Sequence, residues 1–378
     1  MGKEYLTSRQ RVLNAIEHKP LDRMPIDMGM HFSSGISMFA YHNLRKHLGL
    51  STDNIEMIDP VQCLARVDED IIERFHIDTM LLNPPWENPH MWSPRGEYKF
   101  LIPETLKPEL LEDGSWRNVH DNQTMTMLPG GFHFDGGWPN YYGMDDETHV
   151  KHFAKRAEKI FKETDKFTLY MGFTGYFTGL DMACNMLTDP EAVYAYNEKI
   201  YESEEKKAYH LIKEMGGYVQ AISLNSDLGT QNGLMCTPQS YDETCAPFVE
   251  KICRVFHENS DIKVFLHTCG SMSEAIPTLI QCGVDIINPV QISAEKMEPD
   301  MLKTKFGKDI TFWGGGVDCQ HVLGVATPEE VVENSKYYID IFKPGGGFVF
   351  NPVHNIVGNV PPENVVALYD AAYERSFY

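Results

Sequence analysis

The segment KVFLHTCG, residues 263–270, joins a short apolar run to a histidine, a threonine, a cysteine and a glycine. The run is unbroken and does not alternate between apolar and polar residues, which is typical of a strand in a parallel sheet covered on both faces. We therefore predict a buried strand that ends in a loop carrying His267 and Cys269.

Seven further segments have a similar form, an apolar run that ends in Gly, Asp, His or Asn. They are residues 24–31, 79–86, 168–175, 219–227, 284–291, 310–318 and 347–355. Helical patterns lie between them, as parallel strands require. Eight strand–helix units predict an α/β fold, and specifically a (β/α)₈ TIM barrel.

Four of the intervening segments have clear helix signals. Residues 327–342 begin with Thr327 and Pro328 and place Glu330 three positions after the cap, which makes a capping box. Residues 240–259 are amphipathic, with Ser240 as the expected cap. The other two are a short helix closed by glycine at 271–283 and a helix with proline at its start at 361–376.

We expect a single domain over residues 1–378, because barrels often run long as one domain. The segment 86–166, between the second and third predicted strands, reads as an insertion. It contains a hairpin pattern around Asp113 and Gly114 and an aromatic, glycine-rich stretch at 130–143. A long insertion after a barrel strand lies at the carboxyl-terminal mouth, so this one is expected to cap the site.

The composition excludes several classes of partner. A net charge of -21 disfavours nucleic acid and acidic membrane surfaces. The chain has no apolar stretch of the ~20 residues that a membrane span needs, and its start lacks the apolar core of a secretory signal. Eight scattered cysteines favour reduced thiols. We therefore expect a cytoplasmic protein, and homo-oligomerisation stays open.

Three side chains near the predicted strand ends are candidate metal ligands. His267 and Cys269 follow the fifth strand and His354 follows the eighth, and both strand ends point into one mouth. Two imidazoles and a thiolate suit zinc with one position left open. Two alternatives remain. The residues could be packed in the core, or Cys269 could be a nucleophile with a histidine base. The second is less favoured, because side chains at i and i+2 on a strand end rarely meet.

Other polar residues are assigned to catalysis or substrate binding. Asp227 and Asp318 are expected to orient a ligand or to protonate a leaving oxygen. For Asp227 an Asx-turn is an equally good interpretation. The residues expected to contact substrate lie at strand ends or in the aromatic insertion: Asp27, His31, Trp138, Tyr142, Asn225 and Gln291.

Several stretches together resemble the uroporphyrinogen decarboxylase superfamily. They include TSRQRVLNAIEHKPLDRMPID (7–27), SDLGTQ (226–231), HTCGSMSEAIPTLIQCGVDIINPVQ (267–291), WGGGVDCQ (313–320) and PGGGFVFNPVHNI (344–356). The resemblance covers nearly the whole chain and is weakest over 86–166. It implies a (β/α)₈ barrel, in agreement with the strand count.

The superfamily contains decarboxylases and corrinoid-dependent methyltransferases. The decarboxylases carry arginines just after the first strand, whereas no arginine lies between Arg23 and Arg45 here. Methyltransferases acting on coenzyme M are similar at the H-x-C motif, which supplies two zinc ligands. Their third ligand is a cysteine shortly before a P-x-E-N helix start, where this chain has His354. This resemblance implies zinc on His267, Cys269 and His354.

A further resemblance is to ether-cleaving methyltransferases with a zinc pattern E-x14-E-x20-H. Asp318, Glu333 and His354 match this spacing, with Asp for the first Glu, but Glu333 falls within a predicted helix outside the barrel. The expected function is transfer of methyl from a small donor, an aryl methyl ether, to the Co(I) of a corrinoid (cobalamin). A separate corrinoid-binding protein is implied, because the chain has no D-x-H-x-x-G signature. The alternatives are transfer from a corrinoid protein to a thiol, and decarboxylation.

Overall fold

The structure, a computed structural model, describes residues 3–120, 122–137 and 144–378. The helices in this part of the chain are α1 (Ser8–Ile16), α2 (Met38–His47), α3 (Glu69–Arg74), α4 (Asp146–Glu163), α5 (Leu180–Thr188), α6 (Pro190–Met215), α7 (Pro238–Thr244), α8 (Ala246–Asn259), α9 (Ile276–Cys282), α10 (Pro299–Phe306), α11 (Pro328–Phe342) and α12 (Pro362–Ser376). The strands are β1 (Ile55–Asp59), β2 (Leu64–Ala65), β3 (His90–Trp92), β4 (Phe100–Ile102), β5 (Glu109–Leu110), β6 (Trp116–His120), β7 (Gln123–Met127), β8 (Leu169–Thr174), β9 (Ala221–Asn225), β10 (Lys263–His267), β11 (Ile286–Asn288), β12 (Thr311–Trp313) and β13 (Phe348–Val349).

A six-stranded parallel sheet forms the centre of the fold, in the order β13-β12-β11-β10-β9-β8. Helices connect its strands, as expected for an α/β fold. The register places Asn225, His267 and Asn288 side by side at the carboxyl ends of β9, β10 and β11. The sheet therefore brings three polar side chains to one edge.

The first two predicted strands, 24–31 and 79–86, are not regular strands. Each is reduced to one parallel bridge to the sheet segments, Ile26 with Phe350 and Thr79 with Phe167. The two also meet each other, because the Asp78 carboxylate accepts the Ile26 N–H at 2.9 Å. Asp78 N–H also donates to the Ile26 carbonyl at 2.8 Å, so one backbone bond and one side-chain bond join the two segments. The described residues form no closed barrel of eight regular strands.

The described part of segment 86–166 joins the body of the protein through its strands and α4. β4 pairs in parallel with β1, and β3 pairs with β4. β5, β6 and β7 form an antiparallel sheet of three strands. The predicted hairpin is β5–β6, whose turn has Gly114 in the left-handed region at φ 84°.

Three of the four predicted helices are present in the structure with similar or shorter bounds. The fourth, predicted as one helix, is two helices. The capping box at Thr327 and Glu330 is present. The start of α12 and the closure of α9 by a left-handed Gly283 are also as predicted, although α9 is shorter than expected. Residues 240–259 instead belong to two helices. α7 is capped by Thr237. Pro247 lies in the first turn of α8 and has no N–H to donate to a carbonyl of α7, so the two helices do not join into one.

Buried ion pairs occupy the opposite, amino-terminal side of the sheet. Arg11 donates to Asp22 at 2.8 Å and to Asp78 at 2.6 Å, and Arg23 donates to Asp78 at 2.7 Å. Each charge has a partner, which the burial of charged groups requires. Among the described residues, no helix is both long enough and apolar enough to cross a membrane.

Candidate metal centre

His267, Cys269 and His354 converge at the carboxyl edge of the sheet and are called the trio below. Their ligand atoms all lie within 4.8 Å of one another. Cys269 Sγ is 3.6 Å from His267 Nε2. Zinc bonded to sulfur at ~2.3 Å and to nitrogen at ~2.0 Å in tetrahedral geometry separates these atoms by about 3.5 Å. The spacing of this pair fits a zinc site.

The expectation that His267 and Cys269 do not meet is wrong. The chain leaves the strand after His267, and Gly270 turns it with φ 90°. A neighbouring loop holds the turn in place, since Cys269 N–H donates to Asp227 Oδ1 at 3.0 Å. A Cβ on Gly229 would lie 2.7 Å from the Cys269 carbonyl oxygen, so glycine is needed for this close approach.

Asn288 fixes the tautomer of His267. The Asn288 Nδ2 donates to the Trp313 carbonyl at 3.0 Å, which turns its Oδ1 toward His267. That oxygen accepts a hydrogen bond from His267 Nδ1 at 2.9 Å. Because an amide oxygen only accepts, the ring proton is on Nδ1 and the Nε2 lone pair is free toward Cys269. This role of Asn288 was not predicted, although its place at the end of a neighbouring strand is visible in the sequence.

The protonation states also suit metal binding. Burial lowers the pKa of His267, and burial together with the nearby His267 lowers the pKa of His354 to about 4. Both rings are therefore neutral near pH 7, the form that ligates metals. Burial and the Asp227 carboxylate raise the pKa of the Cys269 thiol above its usual range. A free thiolate nucleophile is thus disfavoured, whereas a cation at the trio would stabilise the thiolate.

A cavity of about 630 Å³ opens beside the trio. The predicted residues His31, Asn225 and Asp227 line it together with the trio. Its other walls come mainly from the loop after residue 31, from β8, and from α4 and α6. Its size is in the range of small-molecule sites.

Comparison with known proteins identifies the family. The family model described as uroporphyrinogen decarboxylase (URO-D) matches residues 178–375, more than half of the chain. The chain belongs to the uroporphyrinogen decarboxylase family. The matched segment contains every member of the trio.

The chain is similar to a solved structure described as a methyltransferase from Methanosarcina mazei. It is 15% identical in sequence, with a TM-score of 0.58, and the match covers 98% of this chain and 99% of that one. At this identity the likeness shows a shared fold. No protein in the curated set matches the chain.

Two predicted polar contacts of this URO-D family site lie close to the trio. Asp227 Oδ1 is 3.7 Å from His267 Nε2, and 57% of its side chain is exposed. His31 is buried, with its ring centroid 5.2 Å from that of His267. His31 Nε2 is 3.1 Å from Ser223 Oγ, which donates to Asn225 Oδ1 at 2.9 Å. His31, Asn225 and Asp227 thus supply polar groups to the cavity wall beside the trio.

Asp27 is a core residue, and its assignment to substrate binding is wrong. Its side chain is fully buried and accepts hydrogen bonds from Thr79 Oγ1 at 2.5 Å and from Trp313 Nε1 at 2.9 Å. Burial raises the pKa of this carboxyl group. Asp27 thus ties the first predicted strand to its neighbours beneath the cavity.

The remaining predictions lie outside the described lining of the cavity. The Asp318 carboxylate accepts hydrogen bonds from the backbone of Gln320 and His321 and closes a turn. Gln291 accepts from Gly270 N–H at 2.8 Å, so it supports the Cys269 loop. Glu333 is exposed on α11 and is not part of the trio, so the E-x14-E-x20-H set does not form.

The two predicted aromatic contacts cannot be placed in this site. Trp138 and Tyr142 both lie outside the described residues. Met144, the first described residue after this stretch, lines the cavity just before α4.

Proposed function

We propose that this URO-D family member is a zinc-dependent methyltransferase. It would transfer a methyl group from a small donor, an aryl methyl ether, to the Co(I) of a corrinoid (cobalamin) held by a partner protein. The observation that carries the proposal is the trio, whose ligand atoms lie within 4.8 Å of one another beside a cavity of about 630 Å³.

The donor set supports zinc over harder cations. One sulfur and two imidazole nitrogens match zinc, whereas Mg²⁺ and Ca²⁺ prefer oxygen ligands. The trio supplies three ligands at the cavity wall, so a fourth position would face the donor. Zinc bound there would act as a Lewis acid on the heteroatom of the methyl donor.

The chain's own residues have separable parts in this reaction. Asn288 holds His267 in the ligating tautomer. Asp227 borders the cavity beside the trio, and its carboxylate can relay a proton from water to the leaving oxygen. Phe153 and Tyr170 line the cavity and can pack against an aryl ring. The methyl group would pass to the Co(I) co-substrate, whose two electrons would form the new carbon–cobalt bond, and the leaving oxygen would take the proton.

Two finer features belong to the same proposal. α4 lines the cavity, which supports a capping role for the segment 86–166. The bridges at Ile26 and Thr79 support a barrel-like closure of the sheet. The corrinoid is assigned to a partner because the chain lacks the D-x-H-x-x-G signature.

The two other interpretations have less support. Transfer from a corrinoid protein to a thiol uses the same trio and differs in the direction of the reaction. A decarboxylase for a substrate with many carboxylates would need several cations, but the described lining of the cavity has no arginine and a single lysine.

The test is methyl transfer to free cob(I)alamin, followed by the loss of its absorbance. The zinc-loaded protein should consume Co(I) with methoxylated arenes, and Cys269→Ala should lower the rate by about 100-fold or more, because a ligand is lost. The matched control is Cys184→Ala, an exposed cysteine on α5. Equal rates for the wild type and Cys269→Ala would contradict the proposal.

A further inference from the structure

Lys207 is the only lysine or arginine in the described lining of the cavity. It reaches the cavity from α6, and only 11% of its side chain is exposed. Its Nζ donates to the Gly172 carbonyl on β8 and lies 4.9 Å from the centroid of the Phe173 ring. These contacts hold one positive charge at the β8 wall.

Two acidic side chains lie near Lys207. Burial raises the pKa of one of them, Glu204, to about 7, and the ion-pair partner of Lys207 is the other, Asp146. Asp146 Oδ1 lies 3.2 Å from Lys207 Nζ, but 63% of the Asp146 side chain is exposed. An ion pair with one partner this exposed contributes little to stability, because water competes for both charges. Asp146 is also the first residue of α4, and the positive end of that helix favours an anion at this place whether or not Asp146 supplies it.

The β8 wall and the trio are separated by the length of a small ligand. β8 and β10 are two strands apart in the sheet, and neighbouring strands lie ~4.8 Å apart, so their axes are roughly 10 Å apart. The aromatic rings of Phe153 and Tyr170 line the same cavity, with centroids 5.6 Å apart. A single aromatic ring with polar groups at both ends suits this arrangement.

We propose that Lys207 determines substrate specificity by binding a carboxylate at the end of the substrate remote from the trio, in exchange for Asp146. The two aspartates of the described lining lie at different ends of the cavity. Asp146 pairs with Lys207, and Asp227 lies beside His267. The assignment of the bound acid as the methyl donor rests on the proposed function, while the carboxylate site itself does not.

The test compares two ligands of nearly equal shape by titration calorimetry, para-methoxybenzoate and the neutral para-methoxybenzamide. The wild type should bind the acid at least about 10-fold more tightly, in the range of a charge-assisted hydrogen bond. Lys207→Met should reduce this preference to within about 3-fold, and Asp146→Asn should strengthen it because the competing carboxylate is gone. Lys206→Met, exposed on the same helix, is the matched control.

Equal binding of acid and amide by the wild type, or an unchanged preference in Lys207→Met, would overturn the proposal. If Lys207→Met does not fold, Lys207→Arg should keep the preference for the acid and Asp146→Asn should increase it. Acid binding without methyl transfer would remove the proposed function and leave the carboxylate site. Methyl transfer with the same kcat/KM from the acid and the amide would keep the proposed function and remove the carboxylate site.

Discussion

At the scale of single residues, the orientation of one imidazole depends on one amide. Asn288 is fully buried, its Nδ2 bonds the Trp313 carbonyl, and its Oδ1 bonds His267 Nδ1. Ser33 Oγ donates to the same Oδ1 at 2.6 Å. The hydrogen bonds around Asn288 therefore set which nitrogen of His267 faces Cys269.

We expect Asn288→Leu to weaken zinc binding by about 10- to 100-fold, because the partner that orients a ligand histidine is lost. The measurement is competition with a chromophoric chelator. The control is Asn364→Leu, which removes a buried asparagine that bonds the Leu323 and Ala326 carbonyls. The control should lose stability and keep its zinc affinity. An Asn288→Leu variant that binds zinc as the wild type does would refute this role.

Part of the site could be predicted residue by residue. His267, Cys269 and His354 each follow an apolar run, so their types and positions pointed to a metal site. Asp27 follows the same pattern but is enclosed by Thr79 and Trp313, which are distant in sequence. The local sequence pattern does not show whether distant residues bury a side chain, and this is why Asp27 was assigned to substrate binding.

At the scale of elements, α6 supplies a buried acid to the end of β8. Glu204 accepts the Thr174 N–H at 2.9 Å, and burial raises the pKa of Glu204 to about 7. The folded chain therefore holds this proton more strongly than the unfolded chain, whose glutamate titrates near the ordinary value. The stability that this proton provides is complete below pH ~4.5 and is lost as the pH rises through about 7.

Glu204→Gln should therefore be more stable relative to the wild type at pH 8 than at pH 5. A pKa difference of this size corresponds to roughly 3 kcal/mol at most in the free energy of unfolding. Denaturant unfolding at the two pH values measures it. Glu202→Gln, exposed on the same helix, should show no such change. Parallel pH profiles for Glu204→Gln and the wild type would contradict the assignment.

Elements with strong local signals were predicted best. The capping box of α11 uses contacts within three residues, and the sequence contains both partners. The run 79–86 is apolar and was predicted as a strand, yet it meets residue 26 through a single backbone bond, and the buried Asp78 carboxylate and Arg23 supply the other contacts. The spacing of apolar residues does not reveal ion pairs between distant segments. For this reason 24–31 and 79–86 were predicted as regular strands, which they are not.

At the scale of the whole molecule, the site depends on the parallel sheet. His267 ends β10 while His354 follows β13, which is three strands away in the sheet order. The parallel direction of the strands was predictable from unbroken apolar runs, and it places all carboxyl ends at one edge. The ligand distances and the cavity volume depend on how the sheet curves, which the sequence pattern does not specify.

The most direct test of the central claim is the zinc content of the purified protein, measured by mass spectrometry of the metal. The wild type and the Cys184→Ala control should each hold about one zinc per chain, and Cys269→Ala should hold far less, because the trio loses its thiolate. No zinc in the wild type, or full zinc in Cys269→Ala, would contradict the account.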